Sequence, residues 1–191
     1  MKRTEIDLAE SSKLVEHGYL VFDIEPDNTG NQLYWLHINH YDAKHNLVKQ
    51  SDFTNLDNVN QTKQLLVLRT LDKPYSKLAL PKDKVARQLK AYLNKSELAE
   101  LPIVGYSVDG LDLPILNRLL PDYDRLVYDL ALTYDKATGE NNLKLDTLAN
   151  RLSLGTSPKR NTSNHNPIQD TELTHIVLKG ILALSELIEG D

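Results

Sequence analysis

Gly18-Tyr19-Leu20-Val21-Phe22-Asp23-Ile24-Glu25 is the stretch that decides the fold. Its first seven residues are rich in β-branched and aromatic side chains, the composition of a buried strand. Two acids lie at its end. On a strand, residues two apart project to the same face, so Asp23 and Glu25 stand side by side. Two carboxylates on one face of a buried strand repel each other unless a cation sits between them. That pairing suits a hard divalent metal with oxygen ligands. An isolated Asp-x-Glu also recurs by accident, as a strand end whose acids face water. The rest of the chain has to decide between the two.

Working outward, Pro26-Asp27-Asn28-Thr29-Gly30 is a turn cluster. Leu33 to Tyr41 alternates as a second strand, and Asn46 to Gln50 reads as a third, giving an antiparallel meander. Upstream, residues 7–17 read as a short amphipathic helix. Downstream, Gln61 to Leu71 is helical and is ended by Pro74. Pro81 to Asn94 is a stronger helix, with Pro at its start and Val85, Leu89 and Leu93 at four-residue spacing. Leu101 to Tyr106 is a buried strand, and a helix starts near Leu111 and runs to Leu120. Leu126 to Asp129 is a short strand. Helices follow near 129–136 and 143–153, then a polar loop over 155–167 and a closing helix over 168–188. Such a long loop is functional or disordered in most compact domains. No repeat or linker divides the chain, so the reading is one α/β domain over residues 1–191.

Composition narrows the function. The chain has 191 residues, 40% hydrophobic and 26% charged, which permits a sizeable core. It has no cysteine, so disulfides, thiolate zinc sites and cysteine nucleophiles are excluded. A net charge of −5 argues against a protein that coats nucleic acid by neutralising phosphates. It does not argue against a site whose carboxylates carry metal ions. No secretory signal is visible, and the apolar stretch Ile176 to Ile188 is too short to span a bilayer. The expectation is a soluble, cytoplasmic protein.

Two further segments carry chemistry. Asp112 follows a strand and a glycine-containing turn, Gly105 to Gly110, and falls in the first turn of a helix. Asp109 or Asp112 would also serve there as an ordinary helix-capping acid. His165-Asn166-Pro167-Ile168-Gln169-Asp170 carries a histidine to the mouth of the last helix and an acid into its first turn. Histidine is the side chain best placed to accept a proton near neutral pH. A surface histidine beside a helix-start acid is the plainer alternative.

Taken in order, the three segments resemble the motifs of the DEDD 3′–5′ exonucleases, the DnaQ-like branch of the ribonuclease H-like fold. Asp23-Ile24-Glu25 matches the first motif, Asp112 after its turn the second, and His165 with Asp170 the His-x4-Asp spacing of the third. No tyrosine follows Tyr134, so the histidine subclass is indicated. Asn142 to Ala149 is similar to the helix that precedes the third motif. The resemblance covers residues 18–188 and leaves 1–17 as an N-terminal extension. It implies a ribonuclease H-like mixed sheet, a three-stranded antiparallel meander followed by further strands, flanked by helices. It implies that Asp23, Glu25, Asp112 and Asp170 hold two divalent ions, Mg²⁺ or Mn²⁺, and that His165 takes the proton of the attacking water.

The implied partner is a single-stranded nucleic-acid 3′ end, DNA first. Ile24, Pro26, Tyr106, Ser107 and Leu111 are the implied substrate contacts. Pro26 stands where the family often has Thr or Ser, with Thr29-Gly30 a possible replacement. Tyr106-Ser107 stands where His-Asn is common, and Leu111 where Phe is common. Rival readings are an RNA-directed or short-oligonucleotide exoribonuclease, a relative that binds nucleic acid or a protein partner such as a polymerase, helicase or nuclease without cutting, and a domain with incidental acids. Trp35 and the tyrosines could stack bases but read more simply as core residues. Lys159 and Arg160 could touch phosphate or be solvated loop charges. His37, His40 and His45 do not form a zinc pattern and read as strand and turn residues.

Overall fold

Strand β2 (Tyr19–Pro26) lies inside a six-stranded sheet. It pairs antiparallel with β3 (Leu33–Tyr41) on one side and parallel with β5 (Ile103–Gly105) on the other. Beyond β3 the sheet ends in antiparallel β4 (Leu47–Thr54); beyond β5 come parallel β6 (Leu126–Asp129) and β1 (Lys2–Thr4). The order is β1-β6-β5-β2-β3-β4. This computed structural model describes residues 1–57, 59–141, 143–153 and 166–189.

Helices cover both faces, which is why β2 reads as a nearly unbroken apolar run. Leu20, Phe22 and Ile24 point to one side. There they meet Val85, Leu89 and Leu93 of α4 (Lys82–Leu93) and Leu113 and Leu116 of α5 (Asp112–Leu119). Tyr19 and Val21 point to the other, against Leu148 of α7 (Leu145–Leu152) and Leu173, Val177 and Ile181 of α8 (Pro167–Glu189). By the same alternation Asp23 and Glu25 share the α8 side. A third cluster joins Tyr34, Trp35 and Leu56 to Val67 of α2 (Gln61–Leu71).

Among the described residues the expected elements reappear, some with shifted ends, and the larger differences lie at the N-terminus and in the third strand. Residues 7–17 do not form one helix: a 3₁₀ turn (Leu8–Glu10), which Asp7 caps by accepting from Ala9, precedes a five-residue α1 (Ser11–Val15). The third strand extends to Thr54 because it stays paired with β3 as far as Trp35. Residues 2–4, expected outside the core, form the edge strand β1. Two short helices complete the inventory of described elements, α3 (Tyr75–Leu78) and α6 (Leu130–Thr138).

At Gly105 the end of β5 passes so close to its neighbours that no side chain fits. A Cβ there would lie 2.4 Å from Val108 Cγ1 and 2.9 Å from Phe22 Cε1. Gly105→Ala is expected to cost about 1–3 kcal/mol as an overpacked core, read as a lower urea midpoint at unchanged m-value.

Candidate metal centre

The parallel strands β2, β5 and β6 end at one edge of the sheet, and the acids gather there. Asp23 and Glu25 come from β2, and Asp170 from the first turn of α8. One carboxylate oxygen from each lies within 4.8 Å of those of the other two. Glu25 and Asp170 are buried and Asp23 is half-buried. Asp112, at the start of α5, is buried beside them. Burial, then the negative charges of Glu25, Asp129 and Asp170, push its carboxyl well above the usual carboxylate range. The helix-cap alternative for Asp112 is not realised, since Leu111 occupies the N-cap without a side-chain bond. Asp109 instead pairs with Arg3. Clustered, partly buried carboxylates are the oxygen-rich donor set that a hard divalent cation takes.

The acids form the floor of a cleft of about 970 Å³. Ile24, Pro26, Tyr106, Ser107 and Leu111 all line it, so the substrate-contact set implied by the sequence is brought together with the acids. Thr29 and Gly30 do not: the Thr29 hydroxyl donates to Asp27 within the β2–β3 turn, 2.7 Å away. Three basic residues that sequence reasoning passed over, Lys63 and Arg69 of α2 and Lys144, line the walls. Lys63 donates to the Pro26 carbonyl at 2.8 Å and lies over the Tyr34 ring, 4.9 Å from its centroid. Tyr34 is buried; burial and the charges of Glu25 and Asp23 push its phenol up. Tyr106 donates to the Leu143 carbonyl, tying the two sides of the cleft together. Trp35 is core, as expected, and donates its indole N–H to Asp52 at 2.8 Å.

Two polar networks hold the acid-bearing elements. The first lies under α8. His37 sits opposite Asp23 on β3. Its Nδ1 lies 2.8 Å from Asp52 Oδ1 and its Nε2 2.9 Å from Asn39 Oδ1. Asn39 donates to the hydroxyl of Thr171, the residue after Asp170, at 3.1 Å. Burial works to raise the Asp52 carboxyl, but hydrogen bonds from His37 and Trp35 outweigh it, and the net shift is downward. His37 is thus more than a strand residue. Its pairing with Asp52, fifteen positions away, leaves no mark in a search for metal-ligand spacing.

The second network surrounds Asp129. This fully buried carboxylate caps α6 by accepting from Ala131 at 2.9 Å. It also accepts from Ser107 N at 2.9 Å and Val108 N at 3.1 Å, in the turn that leads to Asp112. Ser107 has a φ of 52°, a left-handed conformation uncommon outside glycine. His165, Lys159 and Arg160 lie outside the described residues. Asn166, next to His165 in sequence, accepts from Ile168 N at 3.0 Å at the mouth of α8.

Comparisons with known proteins support the fold. No protein-family model matches the chain, and no curated protein matches it. Among solved structures, it is similar to a product-bound structure of exonuclease I, with a TM-score of 0.56 and 14% sequence identity. The match covers 92% of this chain and 46% of that one, so the chain spans less than half the length of that neighbour. The architecture, a mixed six-stranded sheet with helices on both faces, is ribonuclease H-like. No helix among the described residues is long and apolar enough to cross a membrane.

Proposed function

We propose that residues 1–191 form one exonuclease domain that hydrolyses phosphodiester bonds at the 3′ ends of single-stranded nucleic acid, DNA first, with two divalent cations. The observation that carries this reading is the convergence of Asp23, Glu25 and Asp170 to within 4.8 Å in a cleft that Asp112 also lines. Similarity to an exonuclease fold supports the reaction class. Asp23, Glu25, Asp112 and Asp170 would hold the ions, Mg²⁺ or Mn²⁺. When bound, such ions lower the barrier by activating water and by stabilising the leaving 3′ oxygen.

The chain's own residues do the rest. His165, five positions before Asp170, takes the proton of the attacking water. Water adds to phosphorus as the bond from phosphorus to the 3′ oxygen breaks, leaving a nucleoside monophosphate and a strand one residue shorter with a 3′ hydroxyl. Ile24, Tyr106 and Leu111 offer apolar surface to the terminal nucleotide. Lys63, Arg69 and Lys144 offset its phosphate charge above the acidic floor.

The test uses single-stranded DNA and RNA labelled at either end, with Mg²⁺ or EDTA. Single-nucleotide shortening of 5′-labelled DNA that EDTA abolishes supports the reading. Shortening of RNA alone moves the substrate to the exoribonuclease alternative. Binding without cleavage moves it to the non-cutting one.

A pH dependence follows from Asp112. Its folded-state carboxyl is raised, so the folded protein holds that proton more tightly than the unfolded chain, and a cation must displace it. Mg²⁺ should therefore raise Tm more at mildly alkaline than at mildly acidic pH. At a hundredfold excess over its dissociation constant, a cation bound only by the folded state adds about 2.7 kcal/mol. Differential scanning calorimetry with and without Mg²⁺ across that range measures the effect.

A further inference from the structure

We propose that Arg3, on the N-terminal edge strand, is a positioning residue for the cleft: it holds Asp129, and through Asp129 the turn that presents Asp112. The inference rests on the cleft being the metal-dependent site proposed above. Arg3 lies before residues 18–188, over which the motifs resemble the family, and β1 sets it parallel to β6 with Arg3 opposite Val127. From there its guanidinium reaches past the strand end. Nε lies 2.7 Å from Asp129 Oδ2, and Nη1 lies 2.8 Å from Asp109 Oδ2.

The two contacts differ in kind. Asp109 is 55% exposed, so its pair with Arg3 is a solvated rim contact of small energy. Asp129 is fully buried, and a buried carboxylate needs both charge compensation and donors. Arg3 supplies the charge. Ser107 N and Val108 N supply two of the donors, and Val108 in turn accepts through its carbonyl from Leu113 N at 2.8 Å, next to Asp112. One unbroken set of hydrogen bonds thus runs from β1 to the start of α5. Without the guanidinium, Asp129 would carry an unbalanced charge toward the acid cluster. It would also lose the Nε–H bond to Oδ2, the oxygen that Val108 N shares, beside the Oδ1 that holds Ser107 at its positive φ. A lysine restores charge but cannot reach both carboxylates with one planar group.

The experiment compares wild type, Arg3→Gln and Arg3→Lys in the full chain, at a temperature where circular dichroism shows each folded. Mn²⁺ affinity is followed by electron paramagnetic resonance, and kcat and KM are measured on a single-stranded oligonucleotide. For Arg3→Gln, Mn²⁺ binding is expected to weaken by up to about 10-fold and kcat to fall in step, the lower end of the loss for an outer-sphere partner, because Arg3 acts one step further out through Asp129. KM should rise by less than kcat falls, because Arg3 itself lines no part of the substrate cleft and reaches Ser107 only through Asp129. Arg3→Lys should recover part of both losses. A folded Arg3→Gln with wild-type Mn²⁺ affinity and kcat overturns the inference. If Arg3→Gln does not fold, Arg3→Lys decides: weakened Mn²⁺ binding supports the inference and unchanged binding overturns it. A wild type that neither binds Mn²⁺ nor hydrolyses the strand sinks the parent reading instead, so the two failures are distinct.

Discussion

Asp23→Ala is expected to lower kcat/KM on a labelled single-stranded oligonucleotide by more than about 100-fold, because partners one shell further out already cost 10–100-fold. The protein should nevertheless stay folded. Asp23 is half-buried, so in EDTA the Tm of the variant should stay close to that of wild type. In Mg²⁺ the two should part: wild type gains Tm from the cation and the variant gains little. Asp170→Asn should behave in the same way. His165→Ala should differ, losing about 10²–10⁴-fold in rate, the usual share of a proton acceptor, while keeping the Mg²⁺-dependent rise in Tm. This contrast separates residues that hold metal from one that moves a proton. Wild-type hydrolysis and a wild-type Mg²⁺ response in Asp23→Ala would remove the metal assignment altogether.

How far the sequence reaches depends on the range of the interaction being read. Alternation is local, so β3 was legible to the residue, as were α2 and β6. The shared face of Asp23 and Glu25 followed from the two-residue period alone. Asp170 was legible only through its order in the chain relative to the other motifs, since nothing near it in sequence marks it as the partner of β2. β1 was invisible for a physical reason. Lys2-Arg3-Thr4 is short and polar, and it becomes a strand only because β6 offers it an edge. Lys63 and Arg69 looked like ordinary solvated charges on a helix. They become cleft residues only because the turn after β2 brings Pro26 within reach of Lys63. Asp129 was visible as the last residue of a strand and nothing more. Its role comes from donors twenty-one and twenty-two positions away, which no local pattern encodes.

Asp129→Leu should be the most destabilising single change among the described residues of the site region, at about 3–5 kcal/mol. The carboxylate is fully buried and takes hydrogen bonds from Arg3 and from the backbone of Ser107, Val108 and Ala131. Leucine has similar bulk but accepts none of them, so several buried N–H groups and part of a cation lose their partner together. Urea denaturation should show the loss as a lower midpoint with an unchanged m-value. The pairing with Arg3 makes a sharper statement possible. Part of the penalty is the guanidinium left without its counter-charge, and a second substitution, Arg3→Leu, removes that part. The double variant should therefore be less destabilised than the sum of the two singles, with an interaction energy of about 0.5–3 kcal/mol. Strict additivity would mean that Arg3 turns to solvent once Asp129 is gone and that the contact is a rim pair after all. A coupling term with no recovery of Mn²⁺ affinity is the expected combination. The apolar pair can satisfy the charge balance of the core, but neither leucine can hold Ser107 and Val108 where the turn needs them.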